Sequence, residues 1–356
     1  MYRITSRHRL TVAAVVVGTA LAATACNASA DKDKSPAAGG TGGDPAKNIV
    51  LVTPEPIGVN DFLKLAATGA QNAARKAGGS ATVLESKDTS AIQQNVEAAV
   101  RQKPAVVVAV GFEFADVLAQ QAEANPKQQF LFVDSCTTKP YPNITCATFR
   151  EHEGTFLAGA EAGLLTKSGK VGAVVALDSP QIRRFSDPFG AGAKQTNPAS
   201  AFTQLFVGGQ KPFNDPARAS EQTASLKAKD VDQIMGAASA AGNLGVFNAA
   251  KAAGVQAYGV DVNQCSAAPG TVVDNVIKHT DIAVAQGVEQ IVGGKPGGVT
   301  SYGLKEGGIT LTGMEPGLET SQCLIAQHPD VLKTVLGLRD QIVAGTITVA
   351  DPAAAK

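Results

Sequence analysis

The chain has 356 residues, of which 44% are hydrophobic, and its 31 basic residues balance 31 acidic ones, so its formal net charge is zero. This balance, together with the lack of a Lys/Arg stripe, argues against a nucleic-acid-binding protein. Aromatic residues are few and Trp is absent, so an aromatic side chain placed at a cleft is a stronger candidate for ligand contact than usual.

The N-terminus carries the pattern of a secretory signal followed by a lipid-attachment site. Three arginines precede an apolar stretch over residues 10–25, and small residues stand directly before Cys26. The stretch is shorter than the roughly 20 residues of a membrane-spanning helix. We therefore predict a signal peptide over residues 1–25 and an acylated Cys26 that anchors the protein on the extracytoplasmic face of the membrane. The alternative is an ordinary signal peptide with an incidental cysteine.

Residues 26–47 are mostly small or polar and include no large apolar side chain. Such a segment cannot bury enough surface to offset the entropy lost on ordering, so we predict a flexible tether. The folded part is expected to begin at Ile49. It then holds about 300 residues, enough for two domains with a core each.

Strand-like and helix-like segments alternate from there on. The predicted strands cover residues 49–52, 81–84, 105–110, 130–133, 144–149, 171–177, 202–207, 233–235 and 256–260. The predicted helices cover residues 62–77, 91–102, 113–125, 155–166, 181–196, 216–228, 243–252, 277–291 and 329–344. Strands that alternate with helices at this spacing predict parallel sheets in a doubly wound α/β architecture.

The alternation restarts after residue 150, which predicts two similar lobes. We assign residues 48–150 and about 265–295 to the first lobe. Residues 151–264 and about 296–349 are assigned to the second, with the lobe of the last helix left open. Because ligands of such sheets lie beyond the carboxyl ends of the strands, the two lobes are expected to face each other across a hinged cleft.

Four further cysteines, Cys136, Cys146, Cys265 and Cys323, form an even set, which in an exported protein predicts two disulfides. Cys136 and Cys146 flank a Pro-containing loop, so we pair them and leave Cys265 with Cys323. Closing the short loop should contribute roughly 2–3 kcal/mol. The alternative is four buried free thiols. No zinc site is predicted, because neither Cys-x-x-Cys nor paired His spacing occurs.

The sequence carries no enzyme signature. It has no P-loop, no Gly-x-Gly-x-x-Gly after a strand and no Gly-x-Ser-x-Gly nucleophile elbow. The histidines are scattered, and His152, His279 and His328 are interpreted as solvated helix-end residues. We therefore predict a protein without a cofactor, a metal or enzymatic activity, while noting that a catalytic triad need not be local in sequence.

Several segments, taken in order, match a known family. They are residues 111–114 (GFEF), 130–134 (FLFVD), 149–159 (FREHEGTFLAG), 189–193 (FGAGA) and 259–264 (GVDVNQ), with Lys278 following. Together they resemble the basic membrane protein family, the purine nucleoside receptor-like lipoproteins of bacterial ABC importers. The resemblance spans about residues 49–349. It implies a type I periplasmic-binding-protein fold, in which two hinged α/β lobes hold a nucleoside.

The resemblance also implies which residues bind the ligand. Phe62 and Phe189 resemble the family's stacking pair, one from each lobe, and stacking contributes roughly 1–3 kcal/mol per base. Asp261, at a strand end, resembles the carboxylate that accepts hydrogen bonds from ribose hydroxyls. The alternatives are core positions for the two Phe residues and a capping or hinge role for Asp261.

Four more residues complete the predicted site. Lys278 resembles a family lysine that enters the cleft, with a solvated helix lysine as the alternative. Asp134 is placed to contact the ligand or only to cap its loop. Gly242 lies where the family has a glycine-rich turn near the ligand, although a simple turn at a helix start would also suit it. Asp61, or its neighbour Asn60, stands in for the first residue of the family's Asp-x-x-Phe-Asn motif, and this departure leaves the contact with the base edge open.

These features favour a lipid-anchored, monomeric transport receptor that closes on a nucleoside-like solute and then docks on an ABC permease. One alternative is a secreted nucleoside or glycoside hydrolase that uses Asp134 and Asp261 as acid and base. The other is a surface lipoprotein that keeps the fold without the cleft chemistry. Whether the ligand is a purine, a pyrimidine or another compound is left open.

Overall fold

The computed structural model describes residues 47–58 and 60–354. The predicted signal peptide, the lipid-attachment residue Cys26 and nearly all of the predicted tether lie outside the described residues. Within the described part of the chain, no helix is long and apolar enough to cross a membrane.

Strands and helices alternate along the described residues. The strands are β1 (Ile49–Thr53), β2 (Ala81–Glu85), β3 (Val106–Val110), β4 (Phe130–Val133), β5 (Ile144–Phe149), β6 (Lys170–Val175), β7 (Ala201–Phe206), β8 (Gln233–Ala237), β9 (Gln256–Asp261), β10 (Val272–Lys278), β11 (Val299–Tyr302) and β12 (Ile309–Leu311). The helices are α1 (Asp61–Ala77), α2 (Thr89–Arg101), α3 (Ala115–Ala124), α4 (Glu151–Leu165), α5 (Pro180–Arg183), α6 (Asp187–Thr196), α7 (Pro216–Lys227), α8 (Ser239–Ala253), α9 (Thr280–Val292) and α10 (Pro329–Val343).

The strands form two six-stranded sheets, one in each lobe. The first has the order β2-β1-β3-β4-β5-β11, with every neighbouring pair parallel. The second has the order β7-β6-β8-β9-β10-β12, and its edge strand β12 runs antiparallel to β10. The prediction of two doubly wound α/β lobes is confirmed.

The central strands are apolar because helices cover both of their faces. Every residue of β3, with the sequence VVVAV, is buried. Successive side chains of a strand point to opposite faces, so Val108 joins an apolar cluster with Leu63 of α1, whereas Val107 joins another with Leu118 of α3. This double burial explains why these strands lack the alternation of polar and apolar residues seen in half-exposed strands.

Glycines allow α4 and α6 of the second lobe to pack closely. A Cβ atom at Gly159 would collide with the carbonyl oxygen of Phe189, and one at Gly192 would collide with that of Phe156. Only glycine lets the two helix backbones approach this far. The FLAG and FGAGA stretches of the sequence are therefore helix-contact motifs.

The described chain crosses between the lobes three times: between β5 and α4, between β10 and α9, and between β11 and β12. These crossings differ from the predicted boundaries near residues 265 and 296, because β10 lies in the second sheet and β11 in the first. β10 was not predicted as a strand, since its sequence VVDNVIK mixes polar with apolar residues, yet all of them are buried. The last helix, α10, packs against α4 of the second lobe.

Both predicted disulfides are present, which excludes the alternative of four free thiols. Cys136–Cys146 ties the loop after β4 to β5, and Cys265–Cys323 joins residues 58 positions apart in the second lobe. Each disulfide limits the conformations that the unfolded chain can adopt. It therefore lowers the entropy of the unfolded state and stabilises the folded protein.

The environment of His152 differs from the one predicted from the sequence. His152 was expected to be solvated but is only 5% exposed. It lies in α4, which packs against α6, β10 and α10 and is buried along most of its length, although Leu164 near its end is 41% exposed. His279 is also partly buried, and its Nε2 lies 3.4 Å from Oε1 of Glu315.

Candidate ligand-binding cleft

A cavity of about 310 Å³ lies between the lobes and is lined by residues from both. Its size is within the range of small-molecule sites. The lining includes the residue after β4, Asp134, and the last residues of β9 and β10, Asp261 and Lys278. The carboxyl ends of strands from both sheets therefore meet at this cleft, as expected for doubly wound sheets.

Lys278 lies at the centre of the cleft and is only 4% exposed. Its Nζ donates to Oδ1 of Asp134, from the first lobe, and to Oε1 of Glu151, 2.8 Å away at the start of α4. Burial alone would lower the pKa of Lys278, but the surrounding carboxylates outweigh it and raise that pKa. The ammonium is therefore charged, and both of these hydrogen bonds are charge-assisted.

Two acidic residues occupy equivalent strand ends, one in each lobe. Asp134 follows β4 and Asp261 ends β9, and both have φ of +73°. Aspartate tolerates this left-handed conformation better than most residues, and such backbone strain is frequent at functional sites. Burial raises the pKa of Asp261 to about 6, despite the opposing effect of Lys278. Asp261 therefore carries a desolvated carboxylate at neutral pH, which favours a hydrogen-bond donor as its partner.

Aromatic side chains line the cleft from both lobes. Phe62, in the first turn of α1, and Phe112, after β3, belong to the first lobe, whereas Phe185 and Phe213 belong to the second. The rings of Phe62 and Phe185 have their centres 5.1 and 5.9 Å from Nζ of Lys278. Phe112 is 43% exposed, so part of its apolar surface is accessible to a ligand. A flat ligand could contact aromatic surface from both lobes.

Four of the predicted site residues line the cleft, namely Phe62, Asp134, Asp261 and Lys278. Asp61 does not, since its side chain forms an ion pair with Lys64, 2.8 Å away, on the surface of α1. Its neighbour Asn60 lines the cleft instead. The Asn60 side chain accepts from the backbone N–H of Leu63 and so caps α1, and it donates to Oε1 of Glu55 at 2.9 Å.

Phe189 and Gly242 lie away from the cleft lining. Phe189 is fully buried on α6, and its ring makes an edge contact with Tyr258, with centres 5.3 Å apart. It is a core residue, the alternative considered for it above. Gly242 is buried inside α8, where a Cβ would collide with the side chain of Ala238. Its small size serves helix packing in the second lobe.

Phe185 supplies the aromatic surface that was expected from Phe189. The sequence pattern predicts one helix over residues 181–196, whereas the structure has two short helices, α5 and α6, with a break at residues 184–186. Pro188, in the first turn of α6, marks the break, because proline suits the first turn of a helix but not its interior. Pro188 is therefore the feature of the sequence that could have predicted this break between the two helices.

Gln181 is a further cleft residue that sequence reasoning did not find. It lies on α5 in the second lobe, and its Nε2 donates to the backbone oxygen of Asp134, 2.9 Å away in the first lobe. This bond and the Lys278–Asp134 pair link the two lobes across the cleft. Nothing in the sequence around Gln181 marks it, since its role comes from the fold.

The cleft is rich in acidic groups. Its charged lining consists of six carboxylates and one ammonium: Glu55, Asp88, Glu113, Asp134, Glu151, Asp261 and Lys278. Lys278 binds two of these carboxylates, and among the described residues the other four form no ion pair with a lysine or an arginine. Burial, together with the nearby acidic residues, raises the pKa of Glu113. The cleft therefore offers many acceptors and suits a ligand that donates hydrogen bonds.

Among the described residues, no cluster of His, Cys, Asp and Glu has the arrangement of a metal site.

The chain is similar in sequence to known proteins. A family model described as "ABC transporter substrate-binding protein PnrA-like" (Bmp) matches residues 46–350. A CD4+ T-cell-stimulating antigen of Listeria monocytogenes is 31% identical over 284 residues, covering 75% of this chain and 76% of the relative.

Two other proteins show similarity over most of the chain. The ABC transporter nucleoside-binding protein BmpA of Lactococcus lactis is 29% identical over 317 residues, covering 82% of this chain and 86% of its own. The crystal structure of an ABC transporter solute-binding protein from Aeropyrum pernix K1 superimposes with a TM-score of 0.73 at 25% identity, covering 86% of this chain and 94% of the other. The predicted type I periplasmic-binding-protein fold is thus confirmed, and the chain belongs to the Bmp family of PnrA-like ABC transporter substrate-binding proteins.

Proposed function

We propose that this protein is an extracytoplasmic receptor of an ABC importer that binds a nucleoside or nucleoside-like solute between its lobes. The observation that carries the proposal is the cleft itself, where Phe62 from one lobe and Phe185 from the other stand beside the strand-end carboxylate of Asp261. The Lactococcus lactis relative, named as a nucleoside-binding protein, supports the choice of ligand.

In this proposal the aromatic rings and the carboxylates bind different parts of the ligand. Phe62 and Phe185 contact the faces of the base, and each stacking contact contributes roughly 1–3 kcal/mol. Asp261 accepts hydrogen bonds from the vicinal hydroxyls of the sugar, and a charged acceptor makes the stronger kind of hydrogen bond. Lys278 holds Asp134 in place between the lobes. Closure on the ligand is a shift of population towards the form that a permease would recognise.

The same geometry argues against the hydrolase alternative. A hydrolase would need Asp134 and Asp261 as a free acid and base, but Asp134 is already paired with the ammonium of Lys278. Burial raises the pKa of Asp134 despite the opposing effect of Lys278, but the ion pair holds this carboxylate against the ammonium, where it is not free to act on a substrate. We therefore propose a binding protein without catalytic activity.

A binding experiment with product analysis tests this proposal. The protein is purified without refolding, examined by native mass spectrometry for a co-purified small molecule, and titrated calorimetrically with adenosine, guanosine, cytidine and uridine. Binding of one nucleoside per chain, with the nucleoside recovered intact, is the expected result. Release of free base or sugar would overturn the receptor proposal, and indifference to all four would leave the surface-lipoprotein alternative.

Anchoring by an acylated Cys26 is part of the same proposal and has its own test. In the Cys26→Ser variant the acceptor thiol is absent, so the protein should move from the membrane to the soluble fraction. Persistent membrane association of the variant after a high-salt wash would contradict a lipid anchor. The receptor is proposed to act as a monomer.

A further inference from the structure

The segment after α10 folds back across the second lobe, and we call residues 344–354 the strap. Within it Ile347, Val349 and Asp351 are partly buried, whereas the residues between them are exposed. This alternation is that of an extended chain with one face against the protein. Ile347 and Val349 pack on the apolar core, and they bring Asp351 to a polar cluster behind the cleft.

Asp351 binds Arg184 through both of its carboxylate oxygens. The Nε and Nη2 atoms of Arg184 each donate to Asp351 at 2.7 Å. The side chains of Arg184 and Asp351 are 17% and 22% exposed. A bidentate pair with this degree of burial is both stronger and more directional than an exposed ion pair.

Arg184 also holds the point where the chain crosses between the lobes. Its Nη1 donates to the backbone oxygen of Phe149 at 3.1 Å, and lies 3.4 Å from Oε2 of Glu151. Glu151 in turn binds Lys278. Charges of alternating sign therefore run from the strap, through Arg184, Glu151 and Lys278, to Asp134 inside the cleft.

Arg184 directly follows α5, the short helix that faces the cleft. Gln181, Ile182 and Phe185, around this helix, all line the cavity. α5 spans only four residues, so its own backbone hydrogen bonds cannot hold it rigidly. Its position therefore depends on the side chains that anchor it. Arg183 makes a two-point contact with Asp178, only five positions away and 54% exposed. The Arg184–Asp351 pair is less exposed and ties this region to a distant segment of the chain.

We infer that Asp351 is a positioning residue for the ligand site: through Arg184 it holds α5, and with it Gln181 and Phe185, in the arrangement that binds the solute. Asp351 does not touch the ligand. The inference about affinity rests on the proposed solute-binding function, whereas the inference about the position of α5 does not.

The test compares Asp351→Asn with Asp340→Asn, the same change at an α10 carboxylate that is 68% exposed and pairs with Arg339. Asn at position 351 can still accept from the N–H of Ala353, as Asp351 does at 2.9 Å, so the local turn is kept. Hydrogen–deuterium exchange of the ligand-free protein is followed at residues 180–185. We expect faster exchange there in the Asp351 variant and unchanged exchange in the Asp340 variant.

Affinity supplies the second readout, measured with whichever of adenosine, guanosine, cytidine and uridine binds most tightly. Asp351→Asn should raise Kd by about fivefold or more, the size expected for a residue that acts through a network, and Asp351→Glu should restore part of the affinity.

Wild-type exchange at residues 180–185 in a folded Asp351→Asn variant would overturn the inference, as would a lower Tm with unchanged exchange and Kd. If the Asn variant does not fold, exchange in the Asp351→Glu variant decides, because the longer side chain should also loosen α5. If no nucleoside binds to the wild type, the proposed ligand is wrong, and the exchange result still decides the position of α5.

Discussion

The ammonium group of Lys278 stabilises both the second lobe and the contact between the two lobes, because it binds one carboxylate from each lobe. Burying one charge without a partner is costly, and removing one member of such a buried pair typically costs about 3–5 kcal/mol. Here Asp134 comes from the first lobe and Glu151 from the second. The ammonium therefore stabilises the second lobe through Glu151, and the contact between lobes through Asp134. Opening the cleft would separate Lys278 from Asp134 and return both groups to water.

Phe185 and Phe189, four residues apart, are both buried, with Phe185 7% exposed, but they should differ in their effect on binding when each is replaced by Ala. Phe185→Ala should weaken nucleoside binding by about 1–3 kcal/mol, because it removes a stacking surface. Phe189→Ala should leave the affinity of the folded protein nearly unchanged but lower the free energy of unfolding by about 3–5 kcal/mol, because it leaves a cavity in the core.

Calorimetric titration of both variants checks this prediction, and urea unfolding establishes that each variant is folded under the conditions of the titration. A larger loss of affinity for Phe189→Ala than for Phe185→Ala would contradict the assignment of Phe185 to the cleft. It would also restore the stacking role that the family resemblance implied for Phe189.

At the scale of elements, α4 and β10 contain a buried acid pair in the second lobe. Glu161 and Asp274 are both 0% exposed. Within the described part of the chain, neither carboxylate oxygen of Glu161 has a hydrogen-bond donor as its partner. Asp274 accepts from the backbone N–H of Gly313 at 3.0 Å. A proton on Glu161, donated to Asp274, gives one of the Glu161 oxygens a partner, and it agrees with a pKa of Glu161 that burial and Asp274 raise.

This acid pair should make the protein less stable as the pH rises. Burial raises the pKa of Asp274 to about 7, against the lowering effect of its hydrogen bonds. Both carboxyls titrate near pH 4 when unfolded, so between about pH 4 and pH 7 the folded state binds more protons than the unfolded state. The contribution of this pair to the free energy of unfolding then falls with rising pH, by up to about 1.4 kcal/mol per pH unit for each proton.

Urea unfolding at pH 5, 6, 7 and 8 measures this dependence. Glu161→Gln should flatten it, because the amide donates to Asp274 at every pH. Glu221→Gln is the matched control on the exposed surface of α7 and should change neither the slope nor its sign. A slope in Glu161→Gln equal to that of the wild type would show that another group causes the pH dependence.

At the scale of the whole molecule, two sheets place the ends of their strands against each other and collect charge between them. Formal net charge is zero over the chain, yet the cleft lining has six carboxylates and a single ammonium. Low-dielectric walls on both sides strengthen the resulting field. The fold therefore creates a local negative potential that the overall composition conceals.

This potential should make the cleft discriminate against phosphate groups. A nucleoside 5′-monophosphate is expected to bind at least about tenfold more weakly than its nucleoside, since a loss of 1.4 kcal/mol is enough for this ratio. This difference in affinity between the nucleoside and its monophosphate should become smaller as salt is raised from 0.05 to 0.5 M, because salt screens the partly exposed carboxylates. Calorimetric titration with adenosine and its 5′-monophosphate checks this. Equal affinities would mean that the phosphate lies outside the cleft.

Patterns among residues close together in the sequence predicted much of the architecture. Continuous apolar runs such as that of β3 predicted parallel, doubly covered strands, and the spacing of the cysteines predicted both disulfides. The position of Asp261 at a strand end was also visible, because a strand pattern ends at that residue. Each of these features depends on residues that are close in sequence, so the sequence alone determined them.

Tertiary structure decided the rest of the cleft. β10 is a strand because the second lobe buries its polar residues, and no hydropathy pattern reveals that. Phe189 rather than Phe185 resembled a stacking residue, but the break between α5 and α6 turns Phe185 to the cleft and leaves Phe189 in the core. Asp351 reaches Arg184 across 167 positions of sequence. Contacts of this kind depend on how distant segments meet, and only the folded chain brings those segments together.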